Sequence, residues 1–329
     1  MTVDAYYSTT EDLLLTLQTI ESTGYQSRYT NLGKTSNRGL EFSVSSVNVQ
    51  RRNFGWSTEF SISCNEQMVE DVGQETYVSV LDSKGHMMYG YKEGYPLNSL
   101  WGYQYEGVFK TEQELIDNQT SKEYVSTVMY SGKNKDTMLG RPKYKDVDND
   151  GMLTEKDLVW QGSSDPFLFG GLQNTFDIYG FRLGVYFAYS LGGKIYNYSE
   201  LAMAGAFSTN QYRYMLDSWH PVRNPDSDLP RAGSVERHVP SSLQVHDASY
   251  LRLKTLSLSY KFDMSKNKKA KLRDITLGLS GENLFLWTEY NGFDPDVSTN
   301  SDTSVPLRRV DMGAYPRART VVFTLQIRY

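Results

Sequence analysis

The chain has 329 residues and a formal net charge of −5, which argues against a nucleic-acid partner, since a phosphate backbone is met with clustered Lys and Arg. Its single cysteine, Cys64, excludes an internal disulfide. No run of about 18 apolar residues occurs, which excludes a membrane-spanning helix but not a barrel, whose strands need only about 9–11 residues with every second one apolar.

Taken in chain order, the segments alternate with the period of two that gives a strand one apolar and one polar face. A weak candidate lies at about residues 5–15. Leu40, Phe42 and Val44 then alternate with Glu41, Ser43 and Ser45, and Phe54, Trp56, Phe60, Ile62 and Cys64 share a parity with Ser and Glu between them. Leu172, Phe176 and Ile178 form the next row, followed by Phe181, Leu183, Val185, Phe187 and Tyr189. Leu251 and Leu253 shift phase to Leu256, Leu258, Tyr260 and Phe262, which predicts a bulge near Lys254-Thr255. Ile275, Leu277, Leu279, Phe285 and Trp287 follow. The last nine residues close the set, with Val321, Phe323, Leu325, Ile327 and Tyr329 on one parity and an aromatic carboxyl terminus.

The spacing of these roughly eight strands says more than their number. Connections at about 51–53, 179–180 and 263–271 are short, and those at about 16–37, 65–166, 191–248 and 288–317 are long. Strict short–long alternation is the habit of outer-membrane barrels, with short periplasmic turns and long outer loops. The predicted fold is therefore all-β: an antiparallel transmembrane β-barrel wall with long extracellular loops. No basic segment followed by an apolar run opens the sequence, so a signal peptide is expected to be absent. On the barrel reading the chain is then a piece of a longer protein.

One segment has metal-ligand spacing. From Asp146 to Asp157, carboxylates fall at positions 1, 3, 5 and 12 (Asp146, Asp148, Asp150, Asp157), with Gly151 at 6. This is the EF-hand calcium-loop pattern, because a hard dication collects six or seven oxygens only where the backbone turns sharply at Gly. Met152 would give its carbonyl, Thr154 would hold a water, and the short Asp157 stands where Glu is usual. The flanks do not read as paired helices, so a structural calcium site inside the 65–166 loop is expected, the rival reading being a solvated turn. Catalytic signatures are missing: the histidines fall in connections without metal-like spacing, and neither a nucleophile elbow nor a phosphate loop occurs, so the chain is read as a non-enzyme. The loops carry many aromatics, of which Tyr103, Tyr105 and Trp219 are candidates for substrate or lid contacts. Aromatic faces beside polar groups suit sugars or peptides, and packing of loop on loop is the plainer role.

Several stretches resemble the carboxyl-terminal part of SusC/RagA-type TonB-linked outer-membrane transporters of Bacteroidetes. They include NLGKTSNRGLEFSV at 31–44, YPLNSLWGYQYEGVFKTEQEL at 95–115, KYKDVDNDGMLTEKD at 143–157, DASYLRLKTLSLSYKF at 247–262 and YPRARTVVFTLQIRY at 315–329. The resemblance implies about the last eight strands of a 22-stranded barrel, with the plug domain outside the sequence. It also implies a SusD-like lipoprotein as lid, TonB acting through the plug, outer-membrane lipid around the wall, and oligosaccharide or peptide as substrate. Phe323 and Tyr329 resemble the signal read by the barrel-assembly machinery. The alternative from a different class is a self-closed eight-stranded barrel serving as an adhesin or structural surface protein.

Overall fold

The computed structural model describes residues 1–12, 14–18, 27–31, 33–72, 78–81, 87–117, 139–150, 153–203, 210–232, 239–264, 272–297 and 309–329. Eight strands form one antiparallel sheet: β1 (Thr2–Glu11), β2 (Lys34–Arg51), β3 (Phe54–Asp71), β4 (Leu168–Ile178), β5 (Phe181–Leu191), β6 (Tyr250–Asp263), β7 (Asp274–Thr288) and β8 (Thr320–Arg328). Their order in space is their order in sequence, so the sheet is a simple meander. Wherever two strands meet across a short connection, little chain separates them. At β4–β5 only Tyr179 and Gly180 intervene, both with positive φ (48° and 90°), the two-residue hairpin turn whose twist matches that of its strands.

The register carries the expected alternation across the whole wall. Reading from β8 back to β2, Phe323, Leu279, Leu258, Leu183, Phe176, Trp56 and Val49 pair in one unbroken row. One residue away, Thr324, Gly278, Ser259, Arg182, Asp177, Gly55 and Gln50 form the matching row of the other face. Much of the apolar row stands in the open: Phe323 is 69% exposed and Leu279 53%. In water such a face would be an aggregation surface; against lipid tails it is the correct side. The bulge falls where the phase shift puts it, with Lys254 unpaired in the ladders to both β5 and β7.

Three expectations change. The first strand runs over Thr2–Glu11, and β2 and β3 are 18 residues each, so their hairpin extends well past the roughly 9–11 residues that cross the hydrocarbon. The long loop is accordingly 72–167 rather than 65–166. The sheet is also open, with β1 and β8 as its edges, every residue of both exposed, and no ladder between them among the described residues. The self-closed eight-stranded barrel is thereby corrected, because closure requires tilt and stagger to bring first and last strands into register.

The apolar core lies in the loops. Leu100 from the β3–β4 connection, Tyr196 and Leu201 from the β5–β6 connection and Val310 from the β7–β8 connection pack into one cluster. A three-stranded sheet stitches the same loops together: Lys194–Asn197 pairs antiparallel with Val245–Asp247 and parallel with Val310–Asp311. The wall thus carries an ordinary water-soluble layer on its long-loop end.

Two adjacent glycines let tyrosines of β5 lie flat on β4, one on each face. Tyr189 crosses Gly170 on the apolar side and its hydroxyl donates to Ser61 O at 2.8 Å, while the Tyr186 ring covers Gly171 on the polar side. A Cβ on Gly170 would sit 2.1 Å from Ser61 O. Gly170→Val is expected to destabilise the wall by about 1–3 kcal/mol, the range for overpacking, read as a lower denaturation midpoint of the detergent-folded receptor. An unchanged midpoint would show that the ring and strand can give way.

Candidate functional site

The acidic motif sits where the β3–β4 connection doubles back on itself. Pro142–Tyr144 pairs with Tyr105–Val108 on entry, and a 3₁₀ turn, Glu155–Asp157, leads out into Leu158–Ser163, which pairs with Ser99–Tyr103. Strands therefore flank the turn on both sides, so it lacks the helix pair by which sensor loops open.

Within the turn, side chains fold back onto backbone donors. Asp146 Oδ1 accepts from the Asn149 amide at 2.7 Å and Asp148 Oδ1 from the Asp150 amide at 3.1 Å, with Asn149 in the left-handed region at φ 58°. Asp157 is fully buried, and its two oxygens accept from the amides of Val147 and Thr154, each at 2.7 Å. One carboxylate thus clamps the two arms of the turn. A carboxylate has about four lone-pair sites, so these two bonds leave room for a cation. Asp146, Asp148 and Asp157 each offer an oxygen, and these lie within 4.8 Å of one another. Ligand oxygens 2.3–2.6 Å from a shared calcium ion are separated by up to about 5 Å. The donor set therefore fits a hard dication. Asp150 is exposed and outside this trio, Thr154 Oγ1 accepts from the Lys156 amide at 3.3 Å, and Gly151 and Met152 lie outside the described residues.

The three aromatic candidates separate. Trp219 is 3% exposed and its indole N–H donates to Pro225 O at 3.0 Å, so it packs the β5–β6 loop and offers no face to a substrate in this structure. Burial of a large ring with a satisfied N–H is the structural role that its sequence context could not distinguish from binding. Tyr103 and Tyr105 are half-buried, each with its ring centroid 6.0 Å from that of Tyr144, and the Tyr105 hydroxyl donates to Asp228 O. Phe323 and Tyr329 stand exposed on the apolar face and at the end of β8.

Sequence reasoning passed over a polar chain in the same layer. His246 Nε2 lies 2.6 Å from Glu200 Oε2, whose other oxygen accepts from the Tyr214 hydroxyl at 2.6 Å, and Tyr290 donates to Asp311 at 2.8 Å. No spacing rule joins residues 200, 214 and 246; only the loop sheet does. Burial first, then the bond to Glu200, pushes the Tyr214 hydroxyl well above the ordinary tyrosine range, and burial with Asp311 does the same to Tyr290. A raised folded-state value means that this stabilisation is complete below the unfolded value of about 10 and is lost as pH rises through the folded value. In an alkaline titration, Tyr214 and Tyr290 are expected to stay un-ionised while exposed tyrosines titrate, and Tyr290→Phe should remove one of the late-titrating groups from the absorbance curve. Asp157→Ala is expected to leave two amides without an acceptor, at about 1–3 kcal/mol each, read as faster hydrogen exchange at Val147 and Thr154; unchanged exchange would discount the clamp.

An in-order antiparallel meander, apolar outside and polar inside, with tight turns at one end and packed loops at the other, defines the wall of an outer-membrane-type β-barrel. No family model matches the chain. The TonB-dependent receptor P3 of Formosa agariphila is 30% identical to it over 336 aligned positions, covering 100% of this chain and 32% of that protein. The TonB-dependent receptor SusC of Bacteroides thetaiotaomicron is 22% identical, over 99% of this chain and 30% of that one. In fold, it matches a chain of the RagAB peptide transporter structure with a TM-score of 0.74 at 22% identity, over 99% of this chain and 33% of that chain. The chain belongs to the SusC/RagA-type TonB-dependent receptors, and it spans about a third of the length of the relatives it matches.

Proposed function

We propose that this wall and its loops form part of an outer-membrane channel for TonB-dependent import, closed on the outside by a SusD-like lipoprotein. The observation that supports the reading best is the open sheet. Its two bare edges would leave backbone donors and acceptors unpaired in hydrocarbon, at several kcal/mol each, so the wall requires further strands on both sides. That demand agrees with relatives three times as long. TonB would act through a plug lying against the polar face, the cargo would be an oligosaccharide or a peptide, and Phe323 and Tyr329 would serve the assembly machinery. Deleting the receptor gene should abolish uptake of a fluorescent oligosaccharide or peptide cargo, and deleting TonB should do the same. Uptake that survives both deletions would refute the reading.

Calcium is the cation proposed for the acidic turn, with Asp146, Asp148 and Asp157 as side-chain ligands and Asp150, the Met152 carbonyl and a Thr154-held water completing the shell. It would brace the long β3–β4 loop. The double variant Asp148→Ala/Asp150→Ala is expected to weaken calcium binding by more than about tenfold, or 1.4 kcal/mol, by isothermal titration, and to speed proteolysis within the loop. Unchanged affinity would leave a solvated turn.

A further inference from the structure

The outward parity of β1, β2 and β3 changes character towards the long-loop end. Val3, Phe42 and Ile62 pair in one row, Ala5, Leu40 and Cys64 in the next, and Tyr7, Arg38 and Glu66 in the one beyond. Arg38 and Glu66 form an exposed ion pair, Arg38 Nε donating to Glu66 Oε2 at 2.6 Å. On the lipid face of a barrel a charge costs a few kcal/mol at the bilayer midplane and almost nothing at the interface. The step from apolar to charged therefore marks the level of the outer headgroups.

At that level the surface is recessed. Leu40 and Cys64 of the last apolar row, Tyr7, Arg38 and Glu66 of the charged row, and Phe167 just before β4 line a recess of about 750 Å³. We infer that this recess holds a phosphate-bearing lipid of the outer leaflet, with an acyl chain against Leu40, Cys64 and Phe167 and the phosphate on Arg38. The inference rests on the outer-membrane reading above and concerns the lipid side of the wall, whereas cargo would pass on the other.

Three features support it. The recess falls within the usual size range of small-ligand sites and continues the apolar rows beneath it, so a chain lying along Phe42 and Leu40 leads into it. Phe167 is exposed yet held in place, its ring seated on Gly192, where a Cβ would come within 2.3 Å of it. Arg38 has binding capacity to spare. A guanidinium carries five N–H donors; Glu66 engages the Nε and Nη2 side, and the Nη1 donors have no partner among the described residues. The carboxylate thus fixes the plane of a group suited to two parallel bonds with a phosphate. Because Glu66 also cancels the charge, attraction depends on those directed bonds and not on a positive field.

The test uses the receptor that carries this wall, purified in detergent and followed by native mass spectrometry. The probes are an acylated diglucosamine monophosphate, the same lipid without its phosphate, and inorganic phosphate. The phosphorylated lipid should be held about tenfold more tightly than either of the others. Arg38→Gln should weaken it by about tenfold, and so should Leu40→Trp, which fills the recess. Glu66→Gln should tighten it, because the guanidinium then serves the phosphate alone. Heat-modifiable gel migration confirms that each variant folds. Equal retention of the dephosphorylated lipid would overturn the phosphate contact, and equal binding of inorganic phosphate would overturn the lipid. Equal weakening by Arg38→Gln and Glu66→Gln would reduce the pair to a bridge between strands. A changed oligomeric mass in Leu40→Trp, with lipid retention unaltered, would give the recess to a second copy of the chain. Each of these results would overturn the lipid site alone; the import reading stands or falls separately, on cargo uptake by cells with and without the receptor.

Discussion

Everything in this structure depends on the backbone of the wall satisfying its own hydrogen bonds. Inside a bilayer no water is available to do so, and the six interior strands meet the requirement through neighbours on both sides. Once the backbone is settled, side chains are free to sort by face, and they invert the usual arrangement: Phe323, Leu279 and Leu258 point outward while Arg182, Asp177 and Lys261 point inward. Two ion pairs lie on the inner face, Arg182 with Asp177 at 2.8 Å and Lys261 with the buried Asp274 at 3.1 Å.

Where the strands leave the membrane, the older rule returns. Phe109, Ile195 and Val310 are almost completely buried. Arg252 and Asp294 meet at 2.6 Å with both side chains buried, and Arg317 adds a second cation to the same carboxylate at 3.3 Å. This network ties β6 to the segments that follow β7 and precede β8, so that the β7–β8 loop is anchored at its two ends. A buried ion pair is weak evidence for stability but a strong constraint on geometry.

The wall was legible in sequence because its determinants are local. A period of two, the two-residue turn at 179–180 and the phase shift at Lys254 are read within a dozen residues, and the ladders agree with all three. The extent of β2 and β3 was less visible, because beyond the lipid belt the alternation relaxes: Arg38 and Glu66 pair on the parity that carries Leu172 and Phe187 further down. The loop layer was illegible for a different reason. The contact of Glu200 with His246 spans 46 residues and that of Val310 with Leu100 far more, and no periodicity encodes either. The acidic turn lies between these extremes. Its spacing named Asp146, Asp148 and Asp157, but only the fold shows Asp157 clamping the two arms of the loop through backbone amides.

The small sheet that joins Lys194–Asn197, Val245–Asp247 and Val310–Asp311 has a consequence for how such a surface can change over generations. Loops that share a sheet and a core are not exchangeable parts. Lengthening at a tip leaves the shared seam intact, whereas wholesale replacement of one connection would strip a strand and a buried side chain from the other two. New surface properties on this scaffold are thus expected to arise by substitution and growth at the tips, with the seam inherited as a unit.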